Sequence, residues 1–134
     1  VDEVADRGGR LMVSPNMRPA VIARAVSRGM VTMPGVLTPT EAFDALEAGA
    51  AGLKLFPASL LGPGGIAAMM AVLPKGTIVG AVGGVTPDNM RDYVAAGVRT
   101  FGMGTAVYRP GDTVDQVRAK ARSLAEAYDR ATAA

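Results

Sequence analysis

The 134-residue chain contains no cysteine, no histidine and no tryptophan. The absence of cysteine excludes disulfides, so we expect a protein of a reducing compartment, the cytoplasm. Without cysteine or histidine, zinc sites and Ser-His or Cys-His nucleophiles are excluded within this sequence. We expect neither a metal nor a cofactor, and the chemistry that remains belongs to carboxylates, hydroxyls, backbone dipoles, lysine and arginine.

Long apolar runs and clusters of like charge are also missing. No run approaches the roughly 20 apolar residues of a membrane-spanning helix, and the sequence does not open on a signal-peptide pattern. The 14 Lys and Arg residues against 12 Asp and Glu give a net charge of only +2, and the basic residues are dispersed. Aromatic side chains that could stack on bases are few. We therefore expect no nucleic acid and no membrane as a partner.

The sequence does contain a repeated unit: a helix-like stretch, a glycine, a short apolar stretch, and then proline or glycine. The glycines that we expect to close the helices are Gly9, Gly29, Gly49, Gly76 and Gly97. The apolar stretches are RLMVSPN, MVTMPGV, AGLKLFPA, TIVGAVGGV and VRTFGMGT. Each is apolar on both faces, as strands of a buried parallel sheet are. Thr38 and Thr86, each followed by proline, are predicted helix starts.

Strands that alternate with helices at this spacing predict an α/β fold of consecutive βα units. An open doubly wound sheet and a (β/α)₈ barrel both fit. The first strand lacks a Gly-rich fingerprint, and the Gly-rich strand ends are the last two, where barrels hold phosphates; we therefore favour the barrel. Five predicted strands fall short of eight. We predict a partial barrel equivalent to strands 4–8, with residues 1–134 as the C-terminal part of one domain whose strands 1–3 are not in this sequence.

Lys54 stands inside the apolar stretch LKLFPAS. Alternation along a strand directs Leu53 and Leu55 toward the helices, and Lys54 and Phe56 toward the barrel axis. A partly desolvated lysine has a lowered pKa and holds more of the neutral amine, which attacks carbonyl groups. A lysine paired with a carboxylate of a neighbouring strand fits the position equally well, so the sequence leaves both possibilities open.

Two glycine-rich stretches end the last two predicted strands. Gly83 and Gly84 lead directly to the predicted helix start at Thr86, and Gly104 precedes the hydroxyl of Thr105. Free backbone N–H groups and a helix start would favour a phosphate at this place. All twelve carboxylates fall in predicted helices or in the turns that begin them. A general base beside Lys54 is therefore not evident, and water, phosphate or a residue outside this sequence would take that role.

LKLFPAS, VGGVTPDN and GMGTAVYRPG, in this order and together with GGRLMVSPN, MPGVLTPTEAF and GPGGIAAMMAVLP, resemble the aldolases that cleave 2-keto-3-deoxy-6-phospho sugar acids. The resemblance covers essentially the whole chain. It implies a class I (Schiff-base) aldolase on a (β/α)₈ barrel, without metal, and a homotrimer when full length. The site residues that it implies are Lys54 as the Schiff-base lysine, Pro15 and Phe56 at the pyruvate end, and Gly83, Gly84 and Thr105, with Gly104 beside them, at the phosphate.

Val82 bears on the choice of epimer. Gluconate enzymes usually carry threonine just before the glycine pair, whereas galactonate enzymes carry valine, so the resemblance implies cleavage of 2-dehydro-3-deoxy-6-phosphogalactonate to pyruvate and glyceraldehyde 3-phosphate. The family's catalytic glutamate belongs to a strand that this sequence lacks, and we expect the 134 residues alone to be inactive in cleavage. A KDPG/KHG aldolase of other epimer preference, a non-aldolase phosphate-binding barrel and a non-catalytic sugar-phosphate binder remain as alternatives.

Overall fold

The computed structural model describes residues 1–133, which form six short strands and six helices. In chain order the elements are α1 (Asp2–Asp6), β1 (Leu11–Val13), α2 (Pro19–Ser27), β2 (Val31–Met33), β3 (Gly35–Val36), α3 (Pro39–Glu47), β4 (Leu53–Leu55), α4 (Ala58–Val72), β5 (Val79–Val82), α5 (Met90–Ala95), β6 (Thr100–Gly102) and α6 (Val114–Thr132). Within residues 1–133, no helix combines the length and the apolarity that crossing a bilayer requires.

All strand pairs in the described residues are parallel, and neighbours in space are neighbours in the chain. β1 pairs with β2 in a two-stranded sheet, and the second sheet has the order β3-β4-β5-β6. A doubly wound sheet reverses its strand order at a switch point, whereas a barrel wall runs in sequence. The strand order therefore agrees with the predicted barrel.

The helices cover a single face of these sheets. Leu53 and Leu55 on β4, like Val79 and Ala81 on β5, are at most 1% exposed and belong to the core that the helices complete. Between them, Lys54 lies on the opposite face and is half-buried. A doubly wound sheet carries helices on both faces. One covered face and sequential strand order confirm the α/β fold as part of a (β/α) barrel.

The second predicted strand, MVTMPGV, is divided into β2 and β3 by Pro34. Proline has no N–H to give to the ladder, so the strand changes its partner at this residue. The chain at Pro34 still belongs to the hydrogen-bonded wall of strands, because the carbonyl of Pro34 accepts the N–H of Lys54 at 2.9 Å. Gly35 follows where a Cβ would collide with the carbonyl of Pro15. The close approach of these two chain segments explains why a glycine stands there.

Helix ends follow the predicted glycine pattern in part. Three of the predicted positions, Gly29, Gly49 and Gly97, have positive φ and lie just past the ends of α2, α3 and α5. After α1 the positive φ falls on Gly8 and not on Gly9, which packs against the carbonyl of Val4. Gly76 belongs to a turn that closes on Pro74, several residues beyond α4. The glycine repeat thus marks most, but not all, helix ends.

The two predicted helix starts differ. Thr38 forms a capping box, in which its hydroxyl accepts the N–H of Glu41 at 3.3 Å and its own N–H donates to the Glu41 carboxylate at 2.9 Å. At the other position α5 begins only at Met90, so the prediction of a helix start at Thr86 is wrong. Residues 86–89 form a separate turn ahead of the helix, in which the Oδ1 of Asn89 accepts the Thr86 N–H at 2.8 Å and the Thr86 carbonyl accepts the Met90 N–H at 3.1 Å.

Candidate active site

Lys54 lines a cavity of about 360 Å³ on the uncovered face of the sheets. Its other walls come from β1, β2, β5 and β6, and they are mostly apolar: Leu11, Val13, Met33, Gly80, Val82, Thr100, Phe101 and Gly102. The alternation predicted for β4 is confirmed, since Leu53 and Leu55 are fully buried on the other side. The Lys54 amine therefore faces an apolar cavity.

The surroundings of the amine favour its neutral form. Burial holds the pKa of Lys54 below the ordinary lysine value, because the charged form loses hydration. No carboxylate within residues 1–133 lies within 4.0 Å of its Nζ. The ion-paired lysine that the sequence left open is therefore not what the described residues form. Phe56 is the aromatic neighbour, with its ring centroid 4.6 Å from Nζ.

A second cavity, of about 410 Å³, adjoins the first, and the two share Val82 and Gly102. It contains every residue predicted for the phosphate end, together with Phe56: Gly83, Gly84, Gly104 and Thr105. The fold thus places the ends of β5 and β6 around one hollow, next to the reactive amine. A molecule with a carbonyl at one end and an anion at the other would span both cavities.

The glycine pair after β5 has a backbone that other residues rarely adopt. Gly83 and Gly84 have φ of +94° and +81°, and a Cβ on Gly84 would lie 2.6 Å from the Cβ of Ser59. Among the hydrogen bonds of residues 1–133, none uses the N–H of Gly84 or Val85. Two donors are thus available to an anion. The Thr86 N–H, next in the chain, is already bonded to the Asn89 side chain.

Pro15 is the predicted site residue that lies apart. It lines neither cavity, and its carbonyl packs against Gly35 just after β1. Val13, two residues earlier, does line the Lys54 cavity. The predicted contact of Pro15 with the pyruvate end stays a prediction.

Arg109 lines the second cavity and was missed by the sequence reasoning. It is the one charged side chain among the described residues that line this cavity. Its Nε donates to the carbonyl of Thr105 at 3.4 Å, and its backbone N–H donates to the carboxylate of Asp112 at 2.6 Å. The residue stands inside the quoted stretch GMGTAVYRPG, but an arginine in a loop is usually a solvated surface residue. The signal in the sequence that could have identified Arg109 is its position four residues after Thr105, which was itself predicted to contact the phosphate.

Comparison with known proteins agrees with a site that combines a reactive lysine and an anion pocket. The model of the family described as "Aldolase: KDPG and KHG aldolase" matches residues 1–119. Over 129 residues the chain is 57% identical to a probable 2-dehydro-3-deoxy-6-phosphogalactonate aldolase of Rhizobium meliloti, and over 131 residues it is 47% identical to the 2-dehydro-3-deoxy-6-phosphogalactonate aldolase of Escherichia coli K12. These matches cover 96% and 98% of this chain.

A solved structure described as native KDPGal matches 99% of the chain with a TM-score of 0.96 and 46% identity, and the match covers 65% of that structure's own chain. The chain spans 61% and 64% of the lengths of the two curated relatives. The family model covers most of the 134 residues, from Val1 onward. On this evidence the chain belongs to the KDPG and KHG aldolase family.

Proposed function

We propose that this chain carries the Schiff-base half of a class I aldolase that cleaves 2-dehydro-3-deoxy-6-phosphogalactonate to pyruvate and glyceraldehyde 3-phosphate. One observation carries the proposal. A half-buried lysine with a lowered pKa and no carboxylate partner within residues 1–133 opens into an apolar cavity, and that cavity adjoins a second one lined by Gly84, Thr105 and Arg109. Amine and anion site match the two ends of such a substrate.

The chemistry starts at the nitrogen of Lys54. The neutral amine attacks C2 of the keto acid, and the carbinolamine loses water to give a protonated imine. The imine accepts the electron pair of the C3–C4 bond as that bond breaks, while the C4 hydroxyl gives up its proton and leaves as the aldehyde. Protonation of the enamine at C3 and hydrolysis of the imine then release pyruvate and restore the amine.

Proton transfer from the C4 hydroxyl needs an acceptor. Of the described carboxylates, none lies within 4.0 Å of Lys54, and Asp112 is occupied by Lys120. Water, the substrate phosphate or a residue from outside this sequence would accept the proton. We therefore expect the chain to form the imine and not to cleave the sugar acid, so imine formation can be measured apart from cleavage.

The phosphate end supplies binding energy at a distance from the bond that breaks. Donors at Gly84 and Val85 and the Thr105 hydroxyl line a cavity that would hold the phosphate. Contacts of this kind orient the reacting end and reduce the entropy lost in the reaction step. Val82, which lines both cavities, stands where it would meet the middle of the substrate and discriminate between epimers at C4.

The remaining features of the proposal come from the resemblance. We propose a homotrimer for the full-length protein, free pyruvate and the phosphorylated sugar acid as ligands, and a cytoplasmic site of action without metal or cofactor. Sedimentation analysis of the full reading frame tests the trimer. A monomer at micromolar concentration would contradict it.

Borohydride trapping with pyruvate tests the central step. The sequence has three lysines, Lys54, Lys75 and Lys120, so peptide mass mapping can assign a reduced adduct without ambiguity. We expect the adduct on Lys54 and none on Lys75, which serves as the internal control. A folded protein without an adduct on Lys54 would contradict the aldolase proposal, and phosphate binding in that protein would favour the non-catalytic binder.

A further inference from the structure

The turn between β6 and α6 holds a small charge network beside the second cavity. The Asp112 carboxylate accepts the backbone N–H of Arg109 at 2.6 Å and the ammonium of Lys120 at 2.6 Å. In return the Asp112 N–H donates to the carbonyl of Arg109 at 3.0 Å. The Asp112 side chain is only 15% exposed, whereas most other ion pairs in the described residues are far more exposed. Turn and helix α6 are therefore joined through one partly buried carboxylate.

The same network leaves the charge of the Arg109 guanidinium without a carboxylate partner among the described residues. Asp112 bonds only to the backbone of Arg109, and its charge is matched by Lys120 from α6. Within residues 1–133, no carboxylate lies within 4.0 Å of the Arg109 side chain. Its Nε donates to the Thr105 carbonyl at 3.4 Å, so the guanidinium group lies across the turn. Both terminal nitrogens of that group are left for another acceptor.

The charge of Arg109 makes the second cavity suited to a phosphate group. A phosphate monoester carries close to two negative charges at neutral pH, and among the described lining residues of the second cavity Arg109 is the one that carries a charge. Glycine amides and a threonine hydroxyl supply dipoles, whereas a guanidinium supplies a full charge and a planar fork that matches phosphate oxygens. Without Arg109 the described part of the cavity would hold an anion by dipoles alone.

We propose that Arg109 binds the phosphate group of the substrate, and that Asp112 and Lys120 are positioning residues which fix the backbone from which its side chain extends. This inference rests on the proposed function, because it assigns a ligand group to the cavity next to Lys54. It adds to the glycine and threonine contacts a charged residue that separates phosphorylated from unphosphorylated substrates. Selectivity for the phosphate thus depends on a turn outside the strands.

Binding of glycerol 3-phosphate, with glycerol as the uncharged control, tests the role of Arg109. Titration followed by the amide signals of Gly83 and Gly84 gives the dissociation constant. We expect Arg109→Met to weaken binding by about tenfold or more, and Arg109→Lys to recover part of the loss as a point charge without the fork. Arg122→Met, the same change at an exposed position on α6, is the matched control and should leave binding unchanged. Equal affinity of Arg109→Met and the unchanged chain would overturn the proposal.

A double-mutant cycle tests the positioning role. Asp112→Asn keeps the shape of the side chain and removes its charge, and we expect it to weaken glycerol 3-phosphate binding by a few-fold. If Asp112 acts through Arg109, the same change in the Arg109→Met background will cost nothing more. Equal losses in both backgrounds would show that Asp112 acts on its own and would overturn that part of the proposal.

Pyruvate trapping on Lys54 separates this inference from the proposed function. Pyruvate has no phosphate, so its trapping in Arg109→Met and Asp112→Asn reports whether the Lys54 cavity is intact, and Arg122→Met, outside both cavities, should trap it as fast as the unchanged chain does. A variant that loses both pyruvate trapping and phosphate binding would point to general damage and would contradict the assigned roles. Failure of trapping in the unchanged chain would remove the aldolase function, and the binding of glycerol 3-phosphate would still decide the role of Arg109.

Discussion

The Nζ of Lys54 lies 4.6 Å from the centre of the Phe56 ring, because Phe56 directly follows β4 and its N–H still donates to the Val36 carbonyl, so the alternation of the strand extends to it. The ring has two opposing effects on the amine. Its face attracts the ammonium form, while its bulk helps to keep water away from the nitrogen. Burial in the cavity lowers the pKa of Lys54, and the attraction of the ring for the ammonium form makes that lowering smaller.

This relationship predicts the pH dependence of imine formation. Only the neutral amine reacts, so the rate of pyruvate trapping should rise with pH and level off below about 10.4, the value of free lysine. Phe56→Leu removes the cation–π attraction and keeps an apolar wall; we expect its curve to move to lower pH. Phe43→Leu, at a 44% exposed position, is the control. A Phe56→Leu curve that moves to higher pH would contradict the explanation.

Substitution of Lys54 tests the nucleophile itself. Lys54→Arg should abolish trapping, because a guanidinium stays protonated and does not attack a carbonyl. Lys54→Met should also remove the adduct, and it should make the free energy of unfolding less dependent on pH. The sign follows from the lowered pKa: the unfolded chain binds more protons than the folded one between the two pKa values, so stability rises with pH in that window. Urea titrations at several pH values compare the two chains.

The glycine pair gives a prediction with its own control. Gly84→Ala places a side chain at φ of +81° and against Ser59, so we expect a loss of about 1–3 kcal/mol in the free energy of unfolding and weaker phosphate binding. Gly104→Ala should be tolerated, because open space surrounds that position and its φ is not in the left-handed region. Thermal denaturation of both variants checks the difference, and equal melting temperatures would contradict it.

Val82→Thr tests the choice of epimer. The exchange keeps the shape of the side chain and places a hydroxyl on the wall that both cavities share. We expect competitive trapping of the two 6-phosphorylated keto acids to shift toward the gluconate epimer. Val13→Thr introduces the same group elsewhere in the Lys54 cavity and should leave the ratio unchanged. An unaltered ratio in Val82→Thr would remove this residue as the selector.

Thr32→Val tests a buried hydroxyl. Thr32 is 1% exposed, and its Oγ1 has no hydrogen-bond partner within residues 1–133. A buried polar group without a partner destabilises the fold, so its replacement by a methyl group should raise the free energy of unfolding by about 1 kcal/mol. Chemical denaturation measures the change. A loss of stability would mean that the hydroxyl has a partner, such as a bound water molecule.

Much of the barrel wall could be predicted from local patterns. Alternation in LKLFPAS is a short-range property, which is why the orientation of Lys54 followed from the sequence. The division of the second strand at Pro34 could not be predicted in the same way. A proline in an edge strand is compatible with an unbroken strand, so the sequence pattern alone does not indicate a break. Its effect depends on two neighbours, β1 and β4, whose places are set by the whole sheet.

The candidate site was predicted unevenly for a related reason. Gly83 and Gly84 directly follow β5 and Thr105 lies just after β6, so the order of the strands is enough to bring them together. Arg109 reaches the same cavity only through the path of a turn, and α5 begins at Met90 after a turn in which the Asn89 side chain accepts the Thr86 N–H. Contacts of this kind depend on tertiary geometry, and neither periodicity nor spacing encodes them.

The break at Pro34 also has a dynamic consequence. β1 pairs only with β2 in the described residues, and this pair reaches the larger sheet through the Thr32 carbonyl, which accepts from Ala51 and Gly52, and through the contact of Pro15 with Gly35. Such a pair is expected to exchange its amide hydrogens as a separate cooperative unit, ahead of the four-stranded sheet. Since β1 and β2 supply one wall of the hollow around Lys54, transient opening of that unit would regulate how readily a keto acid reaches the amine.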